Sequence, residues 1–483
     1  GVVDPAGEHA LDRPPEVVRA ESDPETTRVD LAQHVECVFA ARGADHSGLE
    51  PDDGVPTVAH DRAAPLGGHL AQDRSRTNPR GNAHARDGTG SRRGRCGYLR
   101  TVESDLSPEQ IQFRGVVREF AEAEIAPHAA DWDRDHTFPV ETVLAMGRLG
   151  LFGLPFPEEY GGGGADYLTY CLAIEELARF DASMAITLEA GVSLGAAPFF
   201  YSGTEAQKQE YLVPMIAGEV LGAFGLTEAE AGSDAGATRT RATLDDAANE
   251  WVIDGQKTFI TNSGTPITKC VTITARTGAN EISNVVVDAG TPGFTVMAPY
   301  RKMGWHASDT HELVFDGCRV PEDHLLGVRG EGFKTFLRIL DEGRIAIAAL
   351  AVGLAQGCLD ASVAYACERR AFGGPIGRYQ SIAFKCADMA VAVENARNLT
   401  YKAARLRDRG EPIRAASAMA KLYSSEIAVS ATRDAVQIHG GYGYIDETPV
   451  SRFYRDAKIL EIGEGTSEIQ RLIIARDLGL PVE

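Results

Sequence analysis

Residues 1–101 of the 483-residue chain contain no lysine and only two aromatic residues, Phe39 and Tyr98. Pro, Gly, Asp and Arg recur there without helical or strand periodicity. Such a segment cannot bury enough apolar surface to offset the entropy of ordering it, so it is expected to be disordered. It carries Glu16, Glu21, Asp23 and Glu25, which argues against a transit peptide, a class poor in acids. Methionine is missing before Met146, yet patterned sequence starts near Val102. One expectation is that translation begins at Val102 from an alternative codon and that the upstream stretch is a non-native extension.

Other shortages narrow the function. Lys and Arg number 48 against 69 Asp and Glu, a formal net charge of -21. That balance disfavours nucleic acid and anionic membrane as partners. The eight cysteines are scattered with no CxxC pair, so neither a metal site nor a disulfide framework is indicated. A reducing cytoplasm, or an equivalent matrix, fits them. The longest apolar run lies in Arg344–Ala366 and is continuous only over Ile345–Ala355. It is too short to span a bilayer, so no membrane insertion is expected. Its Ala and Gly content suits a tightly packed helix in a bundle.

What is present suggests about three domains. Ser107-Pro108-Glu109-Gln110 has an N-cap serine, proline at the first helical position and glutamine at the capping-box position. Thr204-Glu205-Ala206-Gln207 repeats that logic. Helical spacing covers Ile111–Ala129, Val140–Arg148, Leu168–Ala178 and Gln207–Ile216. The period then changes. Trp251–Thr261 reads as two short strands flanking an Asp254-Gly255 hairpin turn, and Asp316-Gly317 as another turn. From Phe333 the helical period returns over Phe333–Arg370, Ser381–Arg409, Ile413–Gly440 and Thr466–Arg476. The expected class is α+β: an N-terminal α domain over 102–222, a middle β domain over 223–326 and a four-helix bundle over 327–483.

Two stretches carry the chemistry. Phe224-Gly225-Leu226-Thr227-Glu228-Ala229-Glu230-Ala231-Gly232-Ser233-Asp234 combines glycines, which let a ligand approach the backbone, with the hydroxyls of Thr227 and Ser233. Gln437-Ile438-His439-Gly440-Gly441-Tyr442-Gly443-Tyr444 ends a helix in a Gly-Gly pair, ordinarily a cap and turn. Alone, the first reads as a surface loop and the second as a cap and turn. Together, Phe224–Ala237 and Gln437–Asp456 resemble both signature patterns of the acyl-CoA dehydrogenases. Trp251–Ser263, Lys302–Pro321, Asp341–Arg344 and Arg369–Gln380 resemble that family in order and spacing. The resemblance spans residues 104–478 and is closest to the short-chain, butyryl-CoA branch.

That resemblance implies FAD as cofactor and a homotetramer in which a neighbouring subunit touches it. It implies flavin contacts at Phe224, Leu226, Thr227, Gly232 and Ser233, with Phe259 and Thr261 beside the isoalloxazine. Family members usually have tryptophan where Phe259 stands. Arg369 and Phe372 resemble residues that meet the FAD pyrophosphate across the subunit interface, where a guanidinium suits a diphosphate. Gln437, Gly440 and Gly441 would touch the same cofactor, with Thr466 and Glu468 near the adenosine. Ser233, Arg344 and Gly465 are implied on the acyl-CoA side. Arg344 on its own reads as a helix ion pair, for which Glu368 is a possible partner. His306 is read as a surface or packing histidine with no assigned role, and His439 as packing.

Glu464, in Ile462-Gly463-Glu464-Gly465-Thr466, matches the family's Glu-Gly-Thr motif and is implied as the catalytic base. Removing a proton alpha to a thioester needs a positioned base whose pKa desolvation has raised. The Glu464 amide could donate to the thioester oxygen as charge develops. The flavin would take the beta hydride, and electrons would pass to an electron-transfer flavoprotein. Some branched-chain members place the base where Gly343 stands here, which favours Glu464. The usual aromatic before the glutamate is replaced by Gly463. The implied reaction is dehydrogenation of a short- or medium-chain acyl-CoA to the trans-2-enoyl-CoA. A branched substrate, or an oxidase passing electrons to oxygen, stays open.

Overall fold

The computed structural model describes residues 106–482. The expectations for residues 1–101 and for a start at Val102 lie outside them.

Chain entry follows the expected cap. Ser107 Oγ accepts from the Gln110 N–H at 3.2 Å, and Gln110 Oε1 accepts from the Ser107 N–H at 3.1 Å. That reciprocal box starts α1 (Pro108–Phe120), which continues through a wider turn over Ala121–Ile125. α2 (Tyr167–Ala178) and α3 (Ala182–Glu189) are buried on every side. A helix buried all round shows no 3.6-residue stripe, and α3, only eight residues long, is not among the helices expected from spacing. α3 runs on through Ala190–Ala196 to Ser202.

The middle of the chain is a sheet. Its strands are β1 (Leu221–Gly225), β2 (Arg241–Asp245), β3 (Glu250–Thr261), β4 (Thr268–Gly278), β5 (Glu281–Asp288), β6 (Phe294–Val296), β7 (Thr310–Pro321) and β8 (Leu325–Leu326). The order is β6-β7-β3-β2-β4-β5-β8, with β1 parallel to β4. The expected turns at Asp254-Gly255 and Asp316-Gly317 are not turns. β3 and β7 run straight through them, and the β3–β7 register shifts between Ile253 and Gly255. Gly255 has φ 148° and Gly317 φ 56°, and the Gly317 N–H donates to Asp254 Oδ1 at 2.8 Å. Both Asp-Gly pairs form one bulge, which takes the same left-handed backbone that a hairpin turn would.

Four long helices follow: α4 (Gly332–Glu368), α5 (Gln380–Asp408), α6 (Arg414–His439) and, after the short α7 (Pro449–Ala457), α8 (Ser467–Asp477). α4 crosses α2 closely. A Cβ added at Gly353 would lie 2.1 Å from the Glu175 carbonyl oxygen, so only glycine permits that crossing. Arg397 of α5 pairs with Glu175 at 2.7 Å, and Tyr401 donates to the same carboxylate at 2.9 Å. This satisfied buried pair ties α2 to α5. Two stretches, Ala182–Ser202 and Gly332–Glu368, are long and apolar enough to cross a membrane. In both, 89% of the apolar window is buried inside the fold, where it forms the main core.

Candidate active site

Glu464 lies on the loop that enters α8. Its φ is 51° and that of Gly465 is 92°, two consecutive left-handed residues. A bulky residue adopts this backbone only when its surroundings hold it there. Three groups do so. Lys421 Nζ donates to the Gly465 carbonyl at 2.7 Å, and Gln470 Nε2 donates to the same oxygen at 2.9 Å. Thr466 caps α8, its Oγ1 accepting from the Ile469 N–H at 3.3 Å. The residue as a whole is half-buried, but Glu464 Oε2 is sealed from solvent.

The carboxylate occupies the place of a missing side chain. A Cβ built on Gly343 of α4 would lie 2.6 Å from Glu464 Oε2 and 3.5 Å from Glu189 Oε1. Glu189, the last residue of α3, is fully buried. Neither of its oxygens, nor Glu464 Oε2, has a hydrogen-bond partner of ordinary geometry. Burial raises the Glu464 pKa, while Glu189 as a donor and the charges of Lys421 and Arg344 offset part of that. Glu189 is pushed well above the carboxylate range, by burial first and then by the Glu464 charge. Burial brings the Lys421 ammonium down to about 8, against the pull of Glu464. Arg344 is buried and pairs with Asp341, one helical turn away, rather than with Glu368. Its Nε has no partner.

The second group lies on the sheet. Phe224 is buried and stacks on Phe336 with centroids 4.6 Å apart. The Leu226 carbonyl accepts from Lys257 Nζ at 3.1 Å and the Thr227 carbonyl from the Thr258 N–H at 2.8 Å. Lys257, fully buried, pairs with Glu228 at 2.8 Å. Glu228 also accepts from Thr238 and from the N–H groups of Arg239 and Thr240. This pair anchors the loop that carries Gly232 and the exposed Ser233. Phe259 has φ 62° and is 63% exposed, next to the end of β3 where Thr261 sits.

A third group lines an open cleft of about 520 Å³ bounded by Tyr365, Arg369, Ile438, Gly440, Gly441 and Tyr442, among others. The Arg369 guanidinium lies over the Tyr442 ring at 5.6 Å. Phe372 is 91% exposed at φ 49°. None of the residues lining this cleft comes from the sheet group. The structure therefore brings Glu464, Gly465 and Arg344 together, and Arg369 with Gly440 and Gly441, while Phe224–Thr261 form their own set. Thr466 is occupied by its cap, and Glu468 is exposed in the first turn of α8. His306 stacks on His136 and contacts Asp133, and His439 stacks on Tyr365. His439 also lines the cleft beside Gly440. Sequence reasoning missed Glu189 and Lys421. The available signal for Glu189 was a single charge inside an otherwise apolar run.

These surfaces suit a flat aromatic cofactor with a diphosphate. Two exposed aromatic rings, Phe259 and Phe372, are held on left-handed backbone. At Gly232, Gly440 and Gly441 an added Cβ would meet nothing within 4 Å. A guanidinium stands in an open cleft. The fold and these surfaces define a class: a helix–sheet–helix protein with open surfaces for a large aromatic, diphosphate-bearing cofactor.

Comparison with known proteins narrows the class. Three family models match in order: the acyl-CoA dehydrogenase N-terminal domain over 107–219, its middle domain over 223–318 and its C-terminal domain over 330–479. The chain is 52% identical to a probable acyl-CoA dehydrogenase of Bacillus subtilis, over 77% of this chain and 99% of that one. It is similar to the structure of butyryl-CoA dehydrogenase from Megasphaera elsdenii at 44% identity and TM-score 0.75, covering 77% of this chain and 99% of that one. It is equally similar to a chain in a structure of the electron transferring flavoprotein of Acidaminococcus fermentans, at 44% identity and TM-score 0.75, over 77% and 98%. The chain belongs to the acyl-CoA dehydrogenase family, and so is an FAD-dependent oxidoreductase.

Proposed function

We propose that this enzyme dehydrogenates a short-chain acyl-CoA to the trans-2-enoyl-CoA, with Glu464 removing the α-proton. The observation that carries this reading is the placement of Glu464: a desolvated carboxylate on a held left-handed turn, in the space that Gly343 leaves open. A base so placed is pre-oriented, and its raised pKa brings it toward the range useful for proton abstraction. Lys421 and Gln470 hold the Gly465 carbonyl and so keep the loop's N–H groups free to face a thioester oxygen.

Phe224, Leu226, Thr227, Gly232, Ser233, Phe259 and Thr261 would hold FAD in one subunit. Arg369, Phe372, Gln437, Gly440 and Gly441 would reach it from a neighbour in a homotetramer, with Thr466 and Glu468 near the adenosine. Bound FAD supplies a hydride acceptor at the β-carbon. Ser233, Arg344 and Gly465 would meet the acyl-CoA. The similarity to the Acidaminococcus flavoprotein structure supports an electron-transfer flavoprotein as electron acceptor. The similarity to butyryl-CoA dehydrogenase supports a short acyl chain. At Gly463 an added Cβ would meet nothing closer than the Ile459 carbonyl at 3.5 Å, so packing does not demand glycine there. Its lack of a side chain is consistent with a roomier acyl site.

The test is an anaerobic titration of the full chain with straight and branched acyl-CoAs, following the visible flavin band, beside Glu464→Gln. Bleaching by butyryl-CoA in the wild type alone supports base and substrate together. Bleaching only by longer or branched acyl-CoAs corrects the substrate. Equal bleaching in both proteins removes Glu464 as the base. Hydrogen peroxide at one equivalent per turnover in air would mark an oxidase.

A further inference from the structure

We propose that Glu189 is a positioning residue for the base: it pairs with Glu464 as a neutral acid, and the two carboxyls hold one proton between them. This rests on the reading of Glu464 as the base.

The argument starts from geometry. Glu189 is fully buried, and neither oxygen has a hydrogen-bond partner of ordinary geometry, although the nearby Ser193 hydroxyl offsets a small part of the effect of burial. Both carboxyls converge on the same vacant side-chain position, Gly343, one at 2.6 Å and the other at 3.5 Å from an added Cβ. Two carboxyls that face one vacant side-chain position, with Glu464 Oε2 and both Glu189 oxygens out of reach of solvent, disfavour joint ionisation. Without a proton neither can donate to the other. With one proton, the acid donates to the carboxylate, and a buried oxygen on each is satisfied.

The surroundings decide which one keeps the proton. Around Glu189 stand Tyr170 of α2, Ser193 just beyond α3, and Gly343 of α4, with Glu464 facing it. The charges that act on the pair are Lys421 of α6 and Arg344 of α4, and both act on Glu464. No cation is among the groups that act on Glu189. Glu464 is therefore the ionised member, ready to accept the α-proton, and Glu189 the acid. A hydrogen bond from a neutral acid orients the base without neutralising it. It also holds the base's pKa below the value that burial alone would set.

The test compares Glu189→Gln with Glu189→Leu in the FAD-loaded full chain. Gln keeps a donor toward Glu464, and Leu keeps bulk but donates nothing. The acid limb of the kcat/KM pH profile should move up by about one unit in E189L and stay within a few tenths in E189Q. Should E189L not fold, E189N, which draws its amide back from Glu464, takes its place. In parallel, an infrared difference spectrum of wild type minus E189Q at pH 7 should show the carbonyl stretch of a protonated buried carboxyl. That readout needs no turnover. An acid limb that stays in both variants, or shifts equally in both, overturns the proposal. So does a difference spectrum with no protonated-acid band. Failure of Glu464 as the base would instead appear as full activity in Glu464→Gln, whatever Glu189 does.

Discussion

Gly343 and Glu464, 121 positions apart in the chain, share one site: the carboxylate of the second fills the space that the missing side chain of the first leaves. Gly343 lies inside α4, where alanine would be favoured by about 1 kcal/mol. Glycine there runs against helix propensity and is explained by room for the carboxylate. Gly343→Ala should therefore leave the protein folded and FAD-bound while displacing the Glu464 carboxylate, the proposed base. A shift of about 1 Å is expected to lower kcat/KM by roughly 100-fold. Steady-state kinetics with flavin content as control checks this. Unchanged kinetics would count against Glu464 as the base in this position.

Lys421 acts on the same loop from α6. Its ammonium is fully buried and donates to the Gly465 carbonyl. Lys421→Met keeps the stem and removes both the donor and a charge that favours ionised Glu464. The acid limb of the pH profile should move upward, and kcat/KM at pH 7 should drop about tenfold. Loss of activity with an unmoved acid limb would assign Lys421 to loop geometry alone.

Much of this was legible in the sequence, for identifiable reasons. The caps at Ser107 and Thr204 are local, and both formed as expected. The helices α5, α6 and α8 mix buried and exposed positions, so their period shows. α3 is short and wholly buried and shows no such period, and Glu189 lies at its end. The Asp-Gly pairs misled because a bulge and a hairpin turn make the same demand on the backbone. Glu464 was legible only through its motif. Its partners Gly343, Glu189 and Lys421 come from three different helices, and no local pattern links them.

The Glu228–Lys257 pair should govern acid stability of the sheet domain. Burial alone would raise the Glu228 pKa, but Lys257, Thr238 and the Arg239 N–H hold it down to about 2, against 4.5 for a free carboxyl. The unfolded chain then binds more protons between those values. The contribution is full above about pH 4.5 and is lost as pH falls toward 2. Glu228→Gln should leave Lys257 buried without a counter-charge and cost about 3–5 kcal/mol at pH 7. It should also flatten the fall in stability between pH 4.5 and 2. Urea denaturation of wild type and variant at pH 7 and pH 3.5 separates the two effects. A variant as stable as wild type at pH 7 would show that Lys257 finds another partner or releases its proton.

Phe372 and Arg369 test whether the cofactor is shared between subunits. Phe372 is 91% exposed, so Phe372→Ala should change the stability of a single folded subunit by no more than about 0.5 kcal/mol. Arg369 stands in an open cleft, and its guanidinium lies over the Tyr442 ring at 5.6 Å. If both meet a neighbour's FAD, each substitution should weaken FAD binding without unfolding the apoprotein. A charge-assisted contact is worth about 1.5–3 kcal/mol, so Arg369→Ala should weaken FAD binding by roughly 10- to 100-fold. Flavin fluorescence on titrating the apoprotein gives that number, and light scattering on the same samples gives the assembly state. Weakened FAD binding in an intact tetramer fits a guanidinium reaching across the interface. Weakened binding together with dissociation would make Arg369 an assembly residue whose effect on FAD is indirect. Full FAD affinity in both variants would confine the cofactor to the sheet group around Phe224, Thr227 and Phe259.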